Sequence, residues 1–204
     1  MRAYCPAFLK STKNKNRYRK NSGKQTKNMN ITDISDKLKQ IENTFGRLSG
    51  VQKILLSTDG TVTVILDILY GKTQVKVLEQ RIIKAGDKIA KLLQINKDDQ
   101  INYRVVLIHK DNLPLIRAES YTPLKRISPD LKKELTACET AIGMILKKQN
   151  LEMRREILSI DADSGDSVKE VFKNTGLLLS RTYKIISGGE TLIWIKEIFS
   201  QHIQ

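Results

Sequence analysis

The chain has 204 residues, 40% of them apolar, and a formal net charge of +14. That length suits one domain with a core of its own, with or without a tail. No stretch reaches the apolar length needed to cross a bilayer, and the two cysteines, Cys5 and Cys138, have neither metal-ligand nor redox spacing.

Free thiols of that kind fit a reducing compartment. The charge is uneven. Residues 1–30 hold nine basic side chains and no acid, so residues 31–204 carry only +5. Such a segment reads as attraction to nucleic acid or a membrane surface, as a solvated extension, or as sequence upstream of a start at Met29. Few aromatics interleave with its charges, which favours the extension. It holds more Lys and Asn than Arg and Ser, unlike a transit peptide. The division that follows is a basic tail over 1–30 and a folded domain over 31–204.

From Asp33 to Leu48 the apolar residues Ile34, Leu38, Ile41, Phe45 and Leu48 recur at helical spacing, with Thr32 or Asp33 as the cap and Gly50 beyond the end. An apolar step, Val51 to Leu56, leads into the turn Ser57-Thr58-Asp59-Gly60. Val62 to Tyr70 reads as a short buried helix closed by Gly71, and Gln74 to Arg81 as a strand. Ile101 to Ile108 and Leu115 to Tyr121 form a hairpin across Lys110-Asp111-Asn112. Ser128-Pro129 opens a helix running to about Glu139, and Gly143 marks a second short helix or a bend. Leu151 to Ser159 alternates like a strand, and Asp166 to Lys173 is a further short helix. Leu177 to Ile186 and Leu192 to Phe199 flank the hairpin turn Ser187-Gly188-Gly189-Glu190. Antiparallel hairpins interleaved with single helices give an α+β fold, one antiparallel sheet with helices on it.

Side chains alternate across a strand, so ions that fall on the apolar side stand out. Glu197 shares a face with Ile193, Ile195 and Phe199; Arg181 with Tyr183 and Ile185; Arg104 with Val106 and Ile108; Arg155 with Met153 and Ile157. A buried ion is costly unless paired or hydrogen-bonded. Glu197 can pair with one arginine, which leaves a surplus of two positive charges and points to a dianionic ligand held by guanidinium forks. A one-residue slip in register would turn these groups outward. Other chemistries are weak. His109 and His202 lack metal-ligand company, so no metal is expected. Gly188-Gly189 has no phosphate-loop pattern, Ser57, Ser120 and Ser180 no nucleophile-elbow context, and Trp194 reads as packing.

Several runs, in order, resemble the chorismate pyruvate-lyase family. They are Leu55-Leu56-Ser57-Thr58-Asp59-Gly60-Thr61-Val62-Thr63; Asn102-Tyr103-Arg104-Val105-Val106-Leu107; and Ala118-Glu119-Ser120-Tyr121-Thr122-Pro123-Leu124. Ala141-Ile142-Gly143, Glu152-Met153-Arg154-Arg155-Glu156, Ser180-Arg181-Thr182-Tyr183 and Ile195-Lys196-Glu197-Ile198-Phe199 continue the series. Each run alone is weak; their ordered combination over about residues 50–200 is fairly specific. The resemblance leans to the archaeal, cyanobacterial and red-algal plastid-encoded branch more than to the enterobacterial lyase. The high Lys, Asn and Ile content, written by AT-rich codons, is compatible with that branch and with a plastid stroma; a bacterial or archaeal cytoplasm is the alternative.

The resemblance implies a chorismate lyase-like fold: a single antiparallel sheet, with two helical flaps over a buried ligand cavity. It implies elimination of pyruvate from chorismate to give 4-hydroxybenzoate, for quinone biosynthesis, with no cofactor, no nucleic acid and no membrane. It makes Arg104 the holder of a substrate carboxylate and places Glu197 at the ring oxygens. Thr61, Val62 and Thr63 match the first flap, and Ile142 and Gly143 the second. Arg155 and Arg181 match basic residues around the pocket. The chain departs from the family pattern in the 1–30 tail, in a longer turn after Ser187, and in Ser200, where a proline often stands. The same fold also serves as a sensor domain of bacterial repressors, so binding of a small aromatic acid without turnover is one rival. An inactive relative and a nucleic-acid factor acting through its tail are the others. Oligomeric state is not set by the sequence.

Overall fold

The computed structural model describes residues 28–136, 140–163, 168, 171–172 and 178–203. The basic tail as far as Lys27, Cys5, Cys138, the expected helix end near Glu139 and most of the expected 166–173 helix lie outside them.

Six antiparallel strands form one sheet in the order β1-β2-β3-β6-β5-β4. They are β1 (Gln74–Lys84), β2 (Gln100–Lys110), β3 (Leu113–Pro123), β4 (Arg154–Asp163), β5 (Leu178–Ser187) and β6 (Glu190–Phe199). Helices α1 (Ile31–Phe45), α2 (Gly50–Ser57), α3 (Val62–Tyr70), α5 (Pro129–Thr136) and α6 (Ile142–Lys148) bury their apolar sides on one face. The fold is therefore α+β with a single antiparallel sheet.

Local chemistry sets the element ends. Asn30 caps α1 in a reciprocal pair with Asp33, so the expected cap at Thr32 or Asp33 moves back to Asn30. That helix stops at Phe45, not Leu48, because Gly46 takes a φ of 99°. The apolar step after it is a helix in its own right, begun by a reciprocal Ser49/Gln52 cap. The β2–β3 hairpin turns at Asp111 (φ 50°) and the β5–β6 hairpin at Gly188 and Gly189 (φ 57° and 80°). Two successive positive φ values fit the turn that matches strand twist.

The opposite face is covered at one end by α4 (Asp87–Leu93), whose Ala90 and Leu93 pack on Ala85 and Ile101. Arg126 fastens that end. It donates from Nη1 to Leu93 O and Thr191 O and from Nη2 to Gln94 O, each at 2.7 Å. One guanidinium thus ties the carbonyl end of α4 to the β5–β6 hairpin, where a cation also complements the helix dipole. Arg126→Ala is expected to lower stability by about 2 kcal/mol, read as a lower urea midpoint with an unchanged slope.

Candidate active site

The strand registers make the helix-covered face a grid. One row across it runs Val77, Val106, Ala118, Glu197, Arg181, Ile160; the next runs Gln80, Arg104, Ser120, Ile195, Tyr183, Ile157; a third ends Ile193, Ile185, Arg155. All four ions expected to point inward stand on this face. Arg104 and Arg181 are each 1% exposed and Glu197 6%, whereas Arg155, on the edge strand β4, is half-buried.

Arg181 and Glu197 are cross-strand partners, and their side chains pair across the β5–β6 ladder. Arg181 Nε donates to Glu197 Oε2 at 2.7 Å, and the Tyr183 hydroxyl donates to Glu197 Oε1 at 2.9 Å. Arg181 Nη1 donates to Thr58 O at 2.7 Å, and its guanidinium lies 4.8 Å from the Tyr183 ring centre. Burial alone would pull the Arg181 pKa down; the Glu197 carboxylate outweighs it, so the net shift is upward and the guanidinium stays charged. Two donors leave each Glu197 oxygen with a further lone pair for a ligand.

Arg104 Nη2 donates to Thr140 O at 3.0 Å, just ahead of α6, while the Ser120 hydroxyl donates to Arg104 O at 3.3 Å. Arg155 Nη1 donates to Asp59 O at 2.9 Å and Nη2 to Thr61 Oγ1 at 3.4 Å. The α2–α3 turn is thus held to the sheet by two arginines, at Thr58 O and at Asp59 O. The second short helix meets the first at Gly143, where an added Cβ would stand 2.8 Å from Thr61 Cγ2. Glycine is what lets the two flaps touch.

Between flaps and sheet lies a cavity lined by Arg104, Arg155 and Glu197 with Thr63, Ser120 and Tyr183 among others. Ile142 and Gly143 line it from the second flap. Thr61 reaches it through Arg155. Val62 is buried in the main apolar cluster instead, and Arg181 stands behind Glu197 as its ion partner. Tyr183 and Ser120 were not expected at the site; Tyr183 shares the inward face of β5 with Arg181, which was the available signal, whereas Ser120 lies on a strand with no expected ion and enters as the cross-strand partner of Arg104. A larger space of about 160 Å³ opens between α1, α2 and the end of β6, walled by Leu48, Leu55, Leu56, Leu179 and Phe199. It has no buried ion, so the smaller cavity is the one equipped for chemistry on a charged ligand. Among the described residues no three His, Cys, Asp or Glu side chains are grouped to hold a metal, and no helix is long and apolar enough to cross a membrane.

The family model described as chorismate pyruvate-lyase Rv2949c-like matches residues 56–204, a span that includes every residue named above from Arg104 to Glu197. A Methanocaldococcus jannaschii protein whose name goes no further than lyase is 37% identical over 175 residues, covering 82% of this chain and 86% of that protein. The chain belongs to the chorismate pyruvate-lyase Rv2949c-like family. A Mycobacterium tuberculosis protein named chorismate pyruvate-lyase is 21% identical over 159 residues, 74% of this chain and 80% of that one. Among solved structures, PhnF from Mycobacterium smegmatis has a TM-score of 0.62 at 11% identity, covering 72% of this chain and 67% of its own. A GntR-family transcriptional regulator from Bacillus cereus has a TM-score of 0.53 at 18% identity, covering 65% of this chain and 94% of its own. At such identities these two show the fold alone.

Two tyrosines, the buried Tyr183 and the half-buried Tyr121, give the folded chain an alkaline limit. Burial, then the Glu197 charge, push the Tyr183 pKa above its ordinary value; burial, then the hydrogen bond to Glu119, do the same for Tyr121. The folded chain therefore holds both phenolic protons more tightly than the unfolded chain does. Their contribution is complete below pH ~10 and is lost as pH rises beyond it through the folded-state values. Urea midpoints are expected to fall steeply above about pH 10, and a flat profile there would contradict the burial of the Tyr183 phenol.

Proposed function

We propose that this chain eliminates pyruvate from chorismate, leaving 4-hydroxybenzoate. The observation that carries this is the convergence of Arg104, Arg155 and Glu197 on one cavity in a member of a lyase family. Chorismate carries two carboxylates, a ring hydroxyl and an enolpyruvyl ether. Arg104 takes the ring carboxylate through its planar fork. Arg155, which has no carboxylate partner among the described residues, takes the enolpyruvyl carboxylate. Arg181 is committed to Glu197 and so positions that group rather than holding substrate.

In the elimination the ether C–O bond breaks and a proton leaves the ring carbon that bears the hydroxyl. The ring becomes aromatic, and the departing enolpyruvate gains a proton to become pyruvate. Aromatisation supplies the driving force, so the protein's part is to orient the reactant and to complement charge in a site closed to water. Glu197, fixed by Arg181 and Tyr183, accepts from the ring hydroxyl and is the group placed to carry the proton. Ile142 lines the cavity from the second flap, and the family resemblance assigns a backbone contact to Val62 on the first, although its side chain is buried in the main apolar cluster. No organic cofactor is required by this chemistry.

The finer placement follows the sequence resemblance. The product feeds quinone biosynthesis, the chain belongs to the plastid-encoded branch and acts in a plastid stroma, and the basic 1–30 tail stands outside a catalytic domain of residues 31–204. Incubating the purified chain with chorismate and separating the products by chromatography tests the central reading. New 4-hydroxybenzoate above the uncatalysed rate is expected. Chorismate or 4-hydroxybenzoate bound tightly but recovered unchanged would make the chain a sensor instead.

A further inference from the structure

We propose that the Nε–Nη2 edge of Arg155 is where a ligand's second carboxylate docks, and that the Thr61 hydroxyl competes for that edge, making Thr61 the residue that selects doubly charged ligands. This rests on the lyase reading of the cavity. A guanidinium presents its donors in fixed directions, and Nε with Nη2 form the side that meets a carboxylate in two parallel bonds. In Arg155 the two ends of the fork are used unequally. Nη1 is anchored to Asp59 O at 2.9 Å, Nη2 reaches Thr61 Oγ1 only at 3.4 Å, and Nε is buried with no partner. Ordinary N–H···O bonds lie well inside that second distance. A buried guanidinium N–H left unmatched is unfavourable, and an oxyanion on this edge would satisfy both slack donors at once.

Thr61 is placed for the competing role by its own helix. It is the N-cap residue of α3, yet its side chain makes no capping bond. Threonine at that position ordinarily turns its oxygen to the helix amides; here the oxygen faces Arg155. Gly143 holds it there, since any side chain at 143 would stand 2.8 Å from Thr61 Cγ2 and 3.8 Å from Arg155 Nη2. The methyl of Thr61 rests on the second flap and its hydroxyl on the arginine. A carboxylate makes the stronger, charge-assisted bonds and displaces the hydroxyl, which is then free to cap α3. A ligand with one carboxylate, held at Arg104, leaves Thr61 in place. Loss of the pyruvyl group would return Thr61 to Arg155 and leave the aromatic product without that hold.

Calorimetric titration of the full chain with 3-(carboxymethoxy)benzoate and with 3-methoxybenzoate separates the roles. Thr61→Val keeps the methyl against Gly143 and removes the acceptor; Thr61→Ser keeps the acceptor. Thr61→Val is expected to tighten binding of the diacid roughly three- to tenfold and to leave the monoacid within about twofold, while Thr61→Ser keeps the wild-type ratio. Equal changes for both ligands, or a diacid bound no more tightly, would overturn the competition and leave the lyase reading standing. Failure of both ligands to bind the wild-type chain would remove the lyase reading of the cavity and this inference with it.

Discussion

Replacing Glu197 with alanine is expected to lower 4-hydroxybenzoate release by roughly a hundred- to ten-thousandfold and to destabilise the chain by about 3–5 kcal/mol. Both effects follow from one geometry. The Glu197 carboxylate is the counter-ion of Arg181, which is 1% exposed and 2.7 Å away, and the acceptor for the buried Tyr183 hydroxyl. Without it a guanidinium and a phenol stay behind in the interior, and the stranded cation dominates the loss. Glu197→Gln separates the two effects. The amide keeps one oxygen and nearly the same shape, so part of the packing survives, while the charge facing Arg181 and the ring hydroxyl is gone. Activity is expected to fall almost as far as in the alanine variant. Full activity in Glu197→Gln, with the urea midpoint near that of the wild type, would mean that this carboxylate neither balances Arg181 nor touches the reaction.

Arg104→Ala is expected to reduce kcat/KM for chorismate by roughly two to three orders of magnitude, the scale of removing one partner from a buried charge pair. Arg104 lies on β2, two strands from Glu197 and one row away, and both line the same cavity. A ligand spanning both would be held by its carboxylate at one end and its ring oxygens at the other. Arg104→Lys retains a cation but not the planar fork, so activity between wild type and alanine is expected. Steady-state rates followed by 4-hydroxybenzoate absorbance check the order. Equal rates for all three chains would remove Arg104 from the site.

Much of this arrangement was legible in strand alternation. Arg104, Arg181 and Glu197 lie in strands whose period is unbroken around them, so their inward facing could be read residue by residue. Arg155 precedes the irregularity between Ile157 and Ser159, and its facing survived for that reason. What alternation does not encode is partnership. Three arginines and one glutamate allow several pairings, and only the register of β5 on β6 shows that Arg181, not Arg104 or Arg155, is the partner of Glu197. Helix α4 was missed because it is only seven residues long, buries just Ala90 and Leu93, and packs on the face away from the main core. Helix α2 was missed as a helix although Ser49 and Gln52 carry its cap signature. The flap contact at Gly143 and Thr61 joins residues 82 positions apart in the chain, a closeness that no local pattern contains.

The most direct measurement is a crystal structure of the chain grown with 4-hydroxybenzoate. The product's carboxylate is expected on Arg104 and its phenolic oxygen within hydrogen-bond distance of Glu197, beneath the two flaps. Product seated instead between α1, α2 and Phe199, or bound with neither Arg104 nor Glu197 in contact, would contradict a catalytic site between flaps and sheet.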